Sequence, residues 1–168
     1  FHYSGDWADP QRQLIPDAWR SIEKLDILGD SVYQYTYSSL KFLLQQDLLP
    51  EMVQIGNETN VEIMMPDEAH HYDSINWPRN VFLLNKGLEA VADFNKQYQQ
   101  KVKTMIHIAQ PENALQWFPL AHQHGLKPYD WIGLSYYPKW SLFNLEQLSE
   151  SIKQLKSQFE KRIMIVET

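Results

Sequence analysis

Short apolar runs that alternate with amphipathic helical stretches are the feature of this 168-residue chain that most constrains its fold. The runs are mostly apolar instead of alternating between apolar and polar residues, which is typical of strands buried on both faces. We predict strands at residues 52–56, 102–108, 131–136 and 162–166, and we count residues 1–4 as a fifth. Helical stretches separate them, which favours right-handed crossovers and a parallel sheet.

The helices are predicted from the spacing of their apolar residues and from their ends. We expect helices at about residues 31–49, 80–98 and 111–124, where Pro111 suits a first helical position and Gly125 a stop. The last helix has the clearest pattern, because its apolar residues recur every three or four positions. These residues are Leu145, Leu148, Ile152, Leu155 and Phe159.

The alternation of strand and helix predicts an α/β fold. An open sheet of five apolar strands would expose two unpaired edges, and Glu167 would stand next to the last residue with little to hold it. We therefore expect a (β/α)8 TIM barrel, in which residues 1–168 form a single partial domain that covers about strands three to seven. A doubly wound open sheet is the alternative, and the lack of a glycine-rich phosphate-binding loop weakens it.

Composition excludes several classes of partner and site. The net charge is −6 and there is no basic run, which argues against nucleic acid and anionic membranes as partners. The absence of cysteine excludes disulfides and thiolate metal sites. No apolar stretch approaches the roughly 18 residues of a membrane span, and no signal peptide is visible in a chain that starts without methionine. The 6 Trp and 9 Tyr suit either a core or a cleft that stacks aromatic rings on sugars.

Two of the apolar runs stop abruptly on a glutamate, Glu58 and Glu167. In a parallel barrel, catalytic groups stand at the C-terminal ends of the strands. If residues 1–4 are strand three, Glu58 ends strand four and Glu167 ends strand seven, so the two face each other across the barrel. A pair of carboxyl groups about 5–5.5 Å apart is the minimum needed to cleave a glycosidic bond with retention. The alternative is that each glutamate merely caps the helix that follows it.

Longer motifs around these glutamates resemble a known family. They are Phe1-His2-Tyr3-Ser4, Trp7-Ala8-Asp9-Pro10, Gly56-Asn57-Glu58, residues 106–114 (IHIAQPENA), residues 133–140 (GLSYYPKW) and Val166-Glu167-Thr168. Over essentially its whole length, the chain resembles glycoside hydrolase family 53, the endo-β-1,4-galactanases (arabinogalactan endo-β-1,4-galactosidases). These enzymes are (β/α)8 barrels with their catalytic glutamates on strands four and seven.

The resemblance implies roles for individual residues. Glu58 matches the acid/base, Glu167 the nucleophile, and Asn57 the residue that contacts the sugar 2-hydroxyl. Tyr136 or Tyr137 supplies a hydroxyl that keeps the nucleophile ionised, and the sequence does not choose between them. The remaining residues expected to bind substrate in the cleft are His2, Asp6, Trp7, Asp9, His107 and Trp140. For His2 and His107, the alternative is a histidine held by hydrogen bonds within a strand.

One departure from the family pattern concerns substrate binding. The family usually has Ser-Asp, one further residue and then Trp-Ala-Asp-Pro, whereas this chain has Ser4-Gly5-Asp6-Trp7. Asp6 either reaches the same partner from a shifted backbone, helped by the permissive Gly5, or has lost that contact.

The function implied is retaining endo-hydrolysis of β-1,4-galactosidic bonds in galactan or arabinogalactan, such as pectin side chains. The alternatives are a related barrel glycosidase on mannan, xylan or β-glucan, a non-catalytic galactan-binding protein, and an inactive truncated fragment. The expected partner is the polysaccharide alone, with no nucleic acid and no membrane, and the full-length protein is expected to be a monomer that is secreted, periplasmic or on the cell surface.

No cofactor or metal is expected within this chain. Family members can carry calcium in a late loop that lies outside it. The pairs His70-His71 and His122/His124 have no acidic or thiol ligands at a recognisable spacing, so we predict no metal site there. Asn57-Glu58-Thr59 is formally a glycosylation sequon, but a glycan there would block the cleft, so we discount it.

Overall fold

The computed structural model describes residues 1–66 and 75–168. In these two ranges four helices alternate with four strands, and a short 3-10 turn at Asp17–Trp19 precedes them. The elements are α1 Leu25–Gln45, β1 Met52–Gln54, α2 Trp77–Tyr98, β2 Lys103–Ala109, α3 Pro111–Gln123, β3 Trp131–Ser135, α4 Leu145–Phe159 and β4 Arg162–Glu167. Every predicted helix is present, as are four of the five predicted strands.

The four strands form one parallel sheet in the order β1-β2-β3-β4, so each strand lies beside its neighbour in the chain. A helix follows β1, β2 and β3 before the next strand begins. The strand order does not reverse within the part of the chain that the structure describes, as it would at the ligand-binding crevice of a doubly wound sheet. Sequential parallel strands joined by helices are the arrangement of an arc of a (β/α)8 barrel, as expected.

Residues 1–4 do not form the strand that we predicted. The Phe1 amine donates a hydrogen bond of 2.6 Å to the Gln54 carbonyl at the free edge of β1. No backbone ladder with β1 follows this bond in the described residues, and a strand requires such a ladder. Tyr3 is instead buried against α1, where its hydroxyl lies 2.7 Å from Thr36 Oγ1.

Helix α2 begins earlier than predicted because of its capping residue. The Asn76 side chain accepts a hydrogen bond from the Arg79 backbone N–H, and Pro78 stands in the first turn. Both features stabilise a helix N-terminus at Trp77. Helix α1 also begins and ends earlier than predicted. Asp47 has a φ of 57°, and this left-handed residue ends the helix.

The two faces of the sheet differ in character. Ile106, Ile108, Ile132 and Leu134 belong to the hydrophobic core that the helices share. The side chains between them in sequence point to the opposite face, which corresponds to the interior of a barrel. That face carries polar residues, including His107 and Ser135, and these lie at the C-terminal ends of β2 and β3. No helix of the described ranges has both the length and the apolar character needed to cross a bilayer.

Candidate active site

A β-bulge at the end of β4 determines which way Glu167 points. Leu134 pairs with Ile165, but Ser135 pairs with Glu167, so Val166 is an extra residue on β4. Paired residues of adjacent strands point to the same face of a sheet. In an unbroken register Ser135 would face Val166, and Glu167 would point to the helical face. The bulge therefore brings Glu167 onto the interior face, beside Ser135.

Glu58 reaches the same place from a tight turn after β1. Gly56 has a φ of 77°, and a Cβ there would lie 2.4 Å from Thr59 Cγ2, so the turn requires glycine. Glu58 itself has a left-handed φ of 41°. The Thr59 backbone N–H donates to the His107 carbonyl at 3.0 Å, which fastens the turn to β2. Helix α2 is capped by Asn76, so Glu58 is not the cap of the next helix.

The two predicted catalytic glutamates converge. One carboxylate oxygen of Glu58, one of Glu167 and one ring nitrogen of His107 all lie within 4.8 Å of one another. Ser135 Oγ donates to Glu58 Oε1 at 2.5 Å, and the Tyr137 hydroxyl donates to Glu167 Oε2 at 2.9 Å. Each carboxylate is thus held by a hydroxyl from the region where β3 ends.

The contact of Tyr137 decides between the two tyrosines that the sequence left open. The Tyr136 ring is buried, and its hydroxyl donates to the Phe143 carbonyl at 3.0 Å. Consecutive residues of an extended chain point in opposite directions, so only one of the two can face the carboxylates. In this structure that residue is Tyr137.

The surroundings of the site shift the pKa values of Glu58 and Tyr137, each for a different reason. Burial raises the pKa of Glu58, which is 8% exposed, and the nearby carboxylates of Glu167 and Asp9 raise it further. The hydrogen bond from Ser135 lowers the Glu58 pKa and opposes part of this rise. The hydrogen bond to Glu167 raises the pKa of Tyr137. A carboxyl group whose pKa is raised keeps its proton to higher pH, as a general acid requires.

Glu58 borders a cleft of about 1100 Å³. Its lining includes Asp9, Pro10, Tyr137, Lys139 and Trp140. The Trp140 side chain is 64% exposed, and its ring centroid lies 5.1 Å from that of Tyr137. Trp77 and Trp117 also line the cleft. A groove that joins acid groups to exposed aromatic rings suits a chain of sugars.

The structure places the other predicted residues at different distances from this cleft. Asn57 lies in the site, where its Oδ1 accepts a hydrogen bond of 2.9 Å from Gln54 Nε2. Asp6 binds its own loop, because it pairs with Arg12 at 2.8 Å and accepts from the Ser4 hydroxyl and the Ala8 N–H. Trp7 is 91% exposed and does not line the cleft. His2 is exposed as well, and substrate contacts by Asp6, Trp7 and His2 stay predictions.

The histidines considered as metal ligands have other contacts where they are described. His122 lies 3.0 Å from the Tyr129 hydroxyl, and His124 stacks on Trp77. His70 and His71 lie outside the described residues. Within residues 1–66 and 75–168, the close group of Glu58, His107 and Glu167 is the one set of three potential ligands. Both His107 nitrogens already have hydrogen-bond partners, so we assign no metal there.

Glu112 is a site residue whose role the sequence did not reveal. It stands in the first turn of α3, where its carboxylate accepts from Ser141 Oγ at 2.9 Å and from the Leu142 backbone N–H at 2.8 Å. These bonds tie down the loop that carries Trp140. The signal available was an acid just after Pro111, which also suits a helix N-terminus without any further role.

We expect Glu112→Ala to weaken substrate binding more than it slows the chemical step. Removing the carboxylate frees the loop that carries Trp140, so KM for polysaccharide should rise by about threefold to tenfold, the cost of roughly one ordinary intramolecular hydrogen bond. The value of kcat should change less than twofold by this reasoning. Glu112→Gln keeps one acceptor oxygen and serves as the matched control. A fall in kcat with unchanged KM would contradict this role of Glu112.

His107 should make the stability of the fold sensitive to acid. Burial, with a smaller effect of His2, lowers the pKa of His107 to about 4, whereas an unfolded histidine titrates near 6.5. Between these values the unfolded chain binds a proton that the folded chain does not, so stability falls as the pH falls through this window. From pH 7 to 4.5 the loss should be about 2 kcal/mol.

The measurement is the free energy of denaturant unfolding at the two pH values, compared with that of His107→Gln. The glutamine does not titrate, so the variant should lack this component of the pH dependence. If both proteins lose the same stability on acidification, the folded His107 does not have a lowered pKa.

Comparison with known proteins agrees with the geometry. The sequence model for Glycosyl hydrolase family 53 matches residues 1–168. An arabinogalactan endo-β-1,4-galactanase of Cellvibrio japonicus is 48% identical over 168 residues, which cover 100% of this chain and 45% of that protein. The chain spans about half the length of such relatives.

Solved structures have the same fold. The catalytic domain of an Ignisphaera aggregans GH53 protein superposes with a TM-score of 0.83 at 33% identity, covering 98% of this chain and 43% of that one. A fungal β-1,4-galactanase gives a TM-score of 0.86 at 28% identity, covering 99% of this chain and 50% of the other. The expected barrel architecture is thereby confirmed, and the chain belongs to glycosyl hydrolase family 53.

Proposed function

We propose that this chain carries the catalytic pair of a retaining endo-β-1,4-galactanase, as part of one barrel domain to which it supplies the four consecutive strands β1 to β4. The observation that carries the proposal is the approach of Glu58 and Glu167, which bring carboxylate oxygens within 4.8 Å of each other. Retaining glycosidases use carboxyl groups about 5–5.5 Å apart, whereas inverting enzymes need about 6.5–9.5 Å to admit a water molecule. The spacing supports retention.

In the first step, Glu167 attacks the anomeric carbon while Glu58 donates its proton to the glycosidic oxygen. The bond between that carbon and oxygen breaks, the shortened polysaccharide leaves as an alcohol, and the galactosyl group is held on Glu167 as an ester. In the second step, the Glu58 carboxylate takes a proton from water, and the water oxygen attacks the same carbon. Glu167 leaves as a carboxylate, and the two inversions restore the β configuration.

The neighbouring residues support these two roles. The Tyr137 hydroxyl bonds to Glu167 Oε2, and a donated hydrogen bond favours the ionised form that a nucleophile requires. Burial raises the pKa of Glu58, which favours the protonated form of the acid. Asn57 is held beside Glu58 and is suited to contact the sugar 2-hydroxyl. Exposed Trp140 offers a ring for sugar stacking in the cleft.

The names of the relatives favour galactan as the substrate. A relative from Cellvibrio japonicus is named an arabinogalactan endo-β-1,4-galactanase, and one from Bacillus subtilis an endo-β-1,4-galactanase. The carboxylate pair alone suits mannan, xylan or β-glucan equally well. We propose that the protein needs no organic cofactor, and that it acts as a monomer outside the cytoplasm, where a large polysaccharide is accessible.

The test is hydrolysis of a panel of polysaccharides by the full-length protein, followed by NMR of the first products. We expect rapid cleavage of β-1,4-galactan into oligosaccharides, much slower cleavage of mannan, xylan and β-glucan, and newly formed reducing ends in the β configuration. Saturable binding of galactan without cleavage would show that the protein is a galactan-binding protein and not an enzyme. Initial release of the α anomer would contradict the double displacement.

A further inference from the structure

Three polar side chains, the half-buried Gln54 and the buried His107 and Ser135, lie behind the acid/base. Ser135 and His107 are fully buried on the interior face, at the ends of two adjacent strands. Ser135 Oγ lies 2.5 Å from Glu58 Oε1 and 2.8 Å from His107 Nε2. Gln54 Nε2 lies 3.0 Å from the other ring nitrogen, Nδ1. Together these contacts form a continuous chain of hydrogen bonds from β1 to the Glu58 carboxylate.

The donor-to-acceptor direction of these hydrogen bonds follows from the donors around His107. Nδ1 faces the Gln54 side-chain N–H at 3.0 Å and the Glu58 backbone N–H at 3.4 Å. A backbone N–H can only donate, so Nδ1 is the accepting nitrogen and the ring hydrogen belongs on Nε2.

The orientation of the Gln54 amide agrees with this assignment. The same Gln54 nitrogen faces two oxygens, Asn57 Oδ1 at 2.9 Å and the Gly56 carbonyl at 3.1 Å, so this end of the amide is the donor. Asn57 Oδ1 also lies 3.3 Å from Nδ1, but it receives the Gln54 hydrogen at the shorter distance.

The orientation of the Ser135 hydroxyl determines which oxygen of Glu58 receives a hydrogen bond. Its oxygen accepts the hydrogen on His107 Nε2, so its own hydrogen points to the remaining partner, Glu58 Oε1. A protonated carboxyl group carries its hydrogen on one oxygen only. Because Oε1 is occupied by an incoming hydrogen, the proton of Glu58 is carried on Oε2.

We propose that the chain of Gln54, His107 and Ser135 positions the acid/base Glu58, so that Oε2 is the oxygen that delivers the proton to the glycosidic bond. Ser135 and His107 are positioning residues in this proposal, since both are fully buried and act through Glu58. This inference rests on the proposed function, because it requires Glu58 to be the acid/base.

The residues around His107 and Ser135 favour hydrogen bonds with a fixed donor-to-acceptor direction. Both residues stand on strands, which position groups more rigidly than loops do. A Cβ on Gly133 would lie 2.6 Å from Met105 Sδ and 3.4 Å from the His107 Cβ, so glycine leaves room for these side chains between β2 and β3. Glu167 and Asp9 act on the pKa of Glu58, and His2 acts on that of His107. Glu58 in turn raises the pKa of Tyr137. His107 has a pKa of about 4, so it stays neutral and keeps the same tautomer near pH 6.

The test compares two substrates with Ser135→Ala in the full-length protein. A galactan oligosaccharide has a poor leaving group and needs the acid, whereas a dinitrophenyl β-galactobioside has a good one and does not. We expect kcat/KM to fall by about tenfold or more for the oligosaccharide, a part of the roughly 10²–10⁴-fold that a general acid contributes. For the dinitrophenyl substrate the fall should stay below about threefold.

The pH profile supplies a second readout. The Ser135 hydrogen bond lowers the Glu58 pKa, so its loss should move the alkaline limb of kcat/KM for the oligosaccharide to higher pH. A merely structural role for Ser135 would reduce activity on both substrates alike and leave this limb in place. Either of these results would overturn the inference.

Variants of His107 test the same series of hydrogen bonds through its second buried residue. They also provide a test if Ser135→Ala does not fold. His107→Gln can retain an N–H toward Ser135, so it should keep most of the activity on the oligosaccharide. His107→Leu cannot donate, and it should show the same dependence on leaving group as Ser135→Ala. Equal activity of the two variants on the oligosaccharide would contradict the inference.

Glu58→Ala separates this inference from the proposed function. If Glu58→Ala shows a strong dependence on leaving group and Ser135→Ala shows none, the positioning role fails while the acid/base role stands. If Glu58→Ala itself shows no such dependence, the proposed function fails.

Discussion

We expect Glu167→Gln in the full-length protein to lower kcat for β-1,4-galactan by about 10⁴-fold to 10⁶-fold, the range seen when an enzyme loses its nucleophile. Glutamine has the same shape and can still accept the hydrogen bond from Tyr137. Its neutral amide oxygen is a far weaker nucleophile than a carboxylate, so the galactosyl ester does not form. The measurement is the rate of reducing-sugar release from galactan under saturating conditions.

A smaller side chain at this position tests the role of Glu167 directly. In Glu167→Ala, an added azide ion can occupy the vacated space and attack the anomeric carbon of a dinitrophenyl β-galactobioside. This single inversion should give an α-galactosyl azide. Glu150→Gln is the matched control, because Glu150 is an exposed carboxylate paired with Lys153 on α4, and such surface pairs contribute little. Galactan hydrolysis that survives in Glu167→Gln would exclude Glu167 as the nucleophile.

The second large effect is expected for Glu58→Ala. Loss of the acid should lower kcat/KM for galactan by about 10²-fold to 10⁴-fold. For a dinitrophenyl β-galactobioside the first step needs no acid and should continue, while hydrolysis of the galactosyl ester slows because no base activates water. The galactosyl form of the enzyme should therefore accumulate and be visible by mass spectrometry of the intact protein.

Azide also tests the acid/base role of Glu58, and the galactosyl azide expected here has the opposite anomeric configuration. It should attack the galactosyl ester of Glu58→Ala without needing a base, restore turnover and yield a β-galactosyl azide. The alkaline limb of kcat/KM for galactan, which reports loss of the Glu58 proton, should also disappear in this variant. An α-galactosyl azide from Glu58→Ala, or rapid steady-state hydrolysis of the dinitrophenyl substrate without azide, would contradict the assignment.

Long periodic segments could be predicted from the sequence, because their pattern is repeated over several turns. Helix α4 was expected from five apolar residues, and the structure places it at Leu145–Phe159. Ends that depend on one capping residue were placed less well, as for α2, whose start is determined by Asn76. Residues 1–4 have a strand-like composition, but whether a segment becomes a strand depends on its neighbour.

The proposed catalytic pair and the residues that contact it differ in how far they could be predicted. Glu58 and Glu167 were visible because each ends an apolar run, and parallel strands bring their C-terminal ends together. The choice of Tyr137 over Tyr136 needed the direction of each side chain. Ser135 was missed because a serine ending a strand has no distinctive pattern, and its role depends on contacts with residues far away in sequence.

By itself, the sequence determined that this chain alternates strand and helix, that its sheet is parallel, and that two glutamates end two of the strands. These properties follow from local periodicity and from the rules of connection between neighbouring elements. Only the tertiary structure decided that Glu167 faces inward, because the bulge at Val166 is a property of the register between β3 and β4. It also decided which oxygen of Glu58 is held, since hydrogen bonds between residues up to 77 positions apart exist only after the strands have assembled.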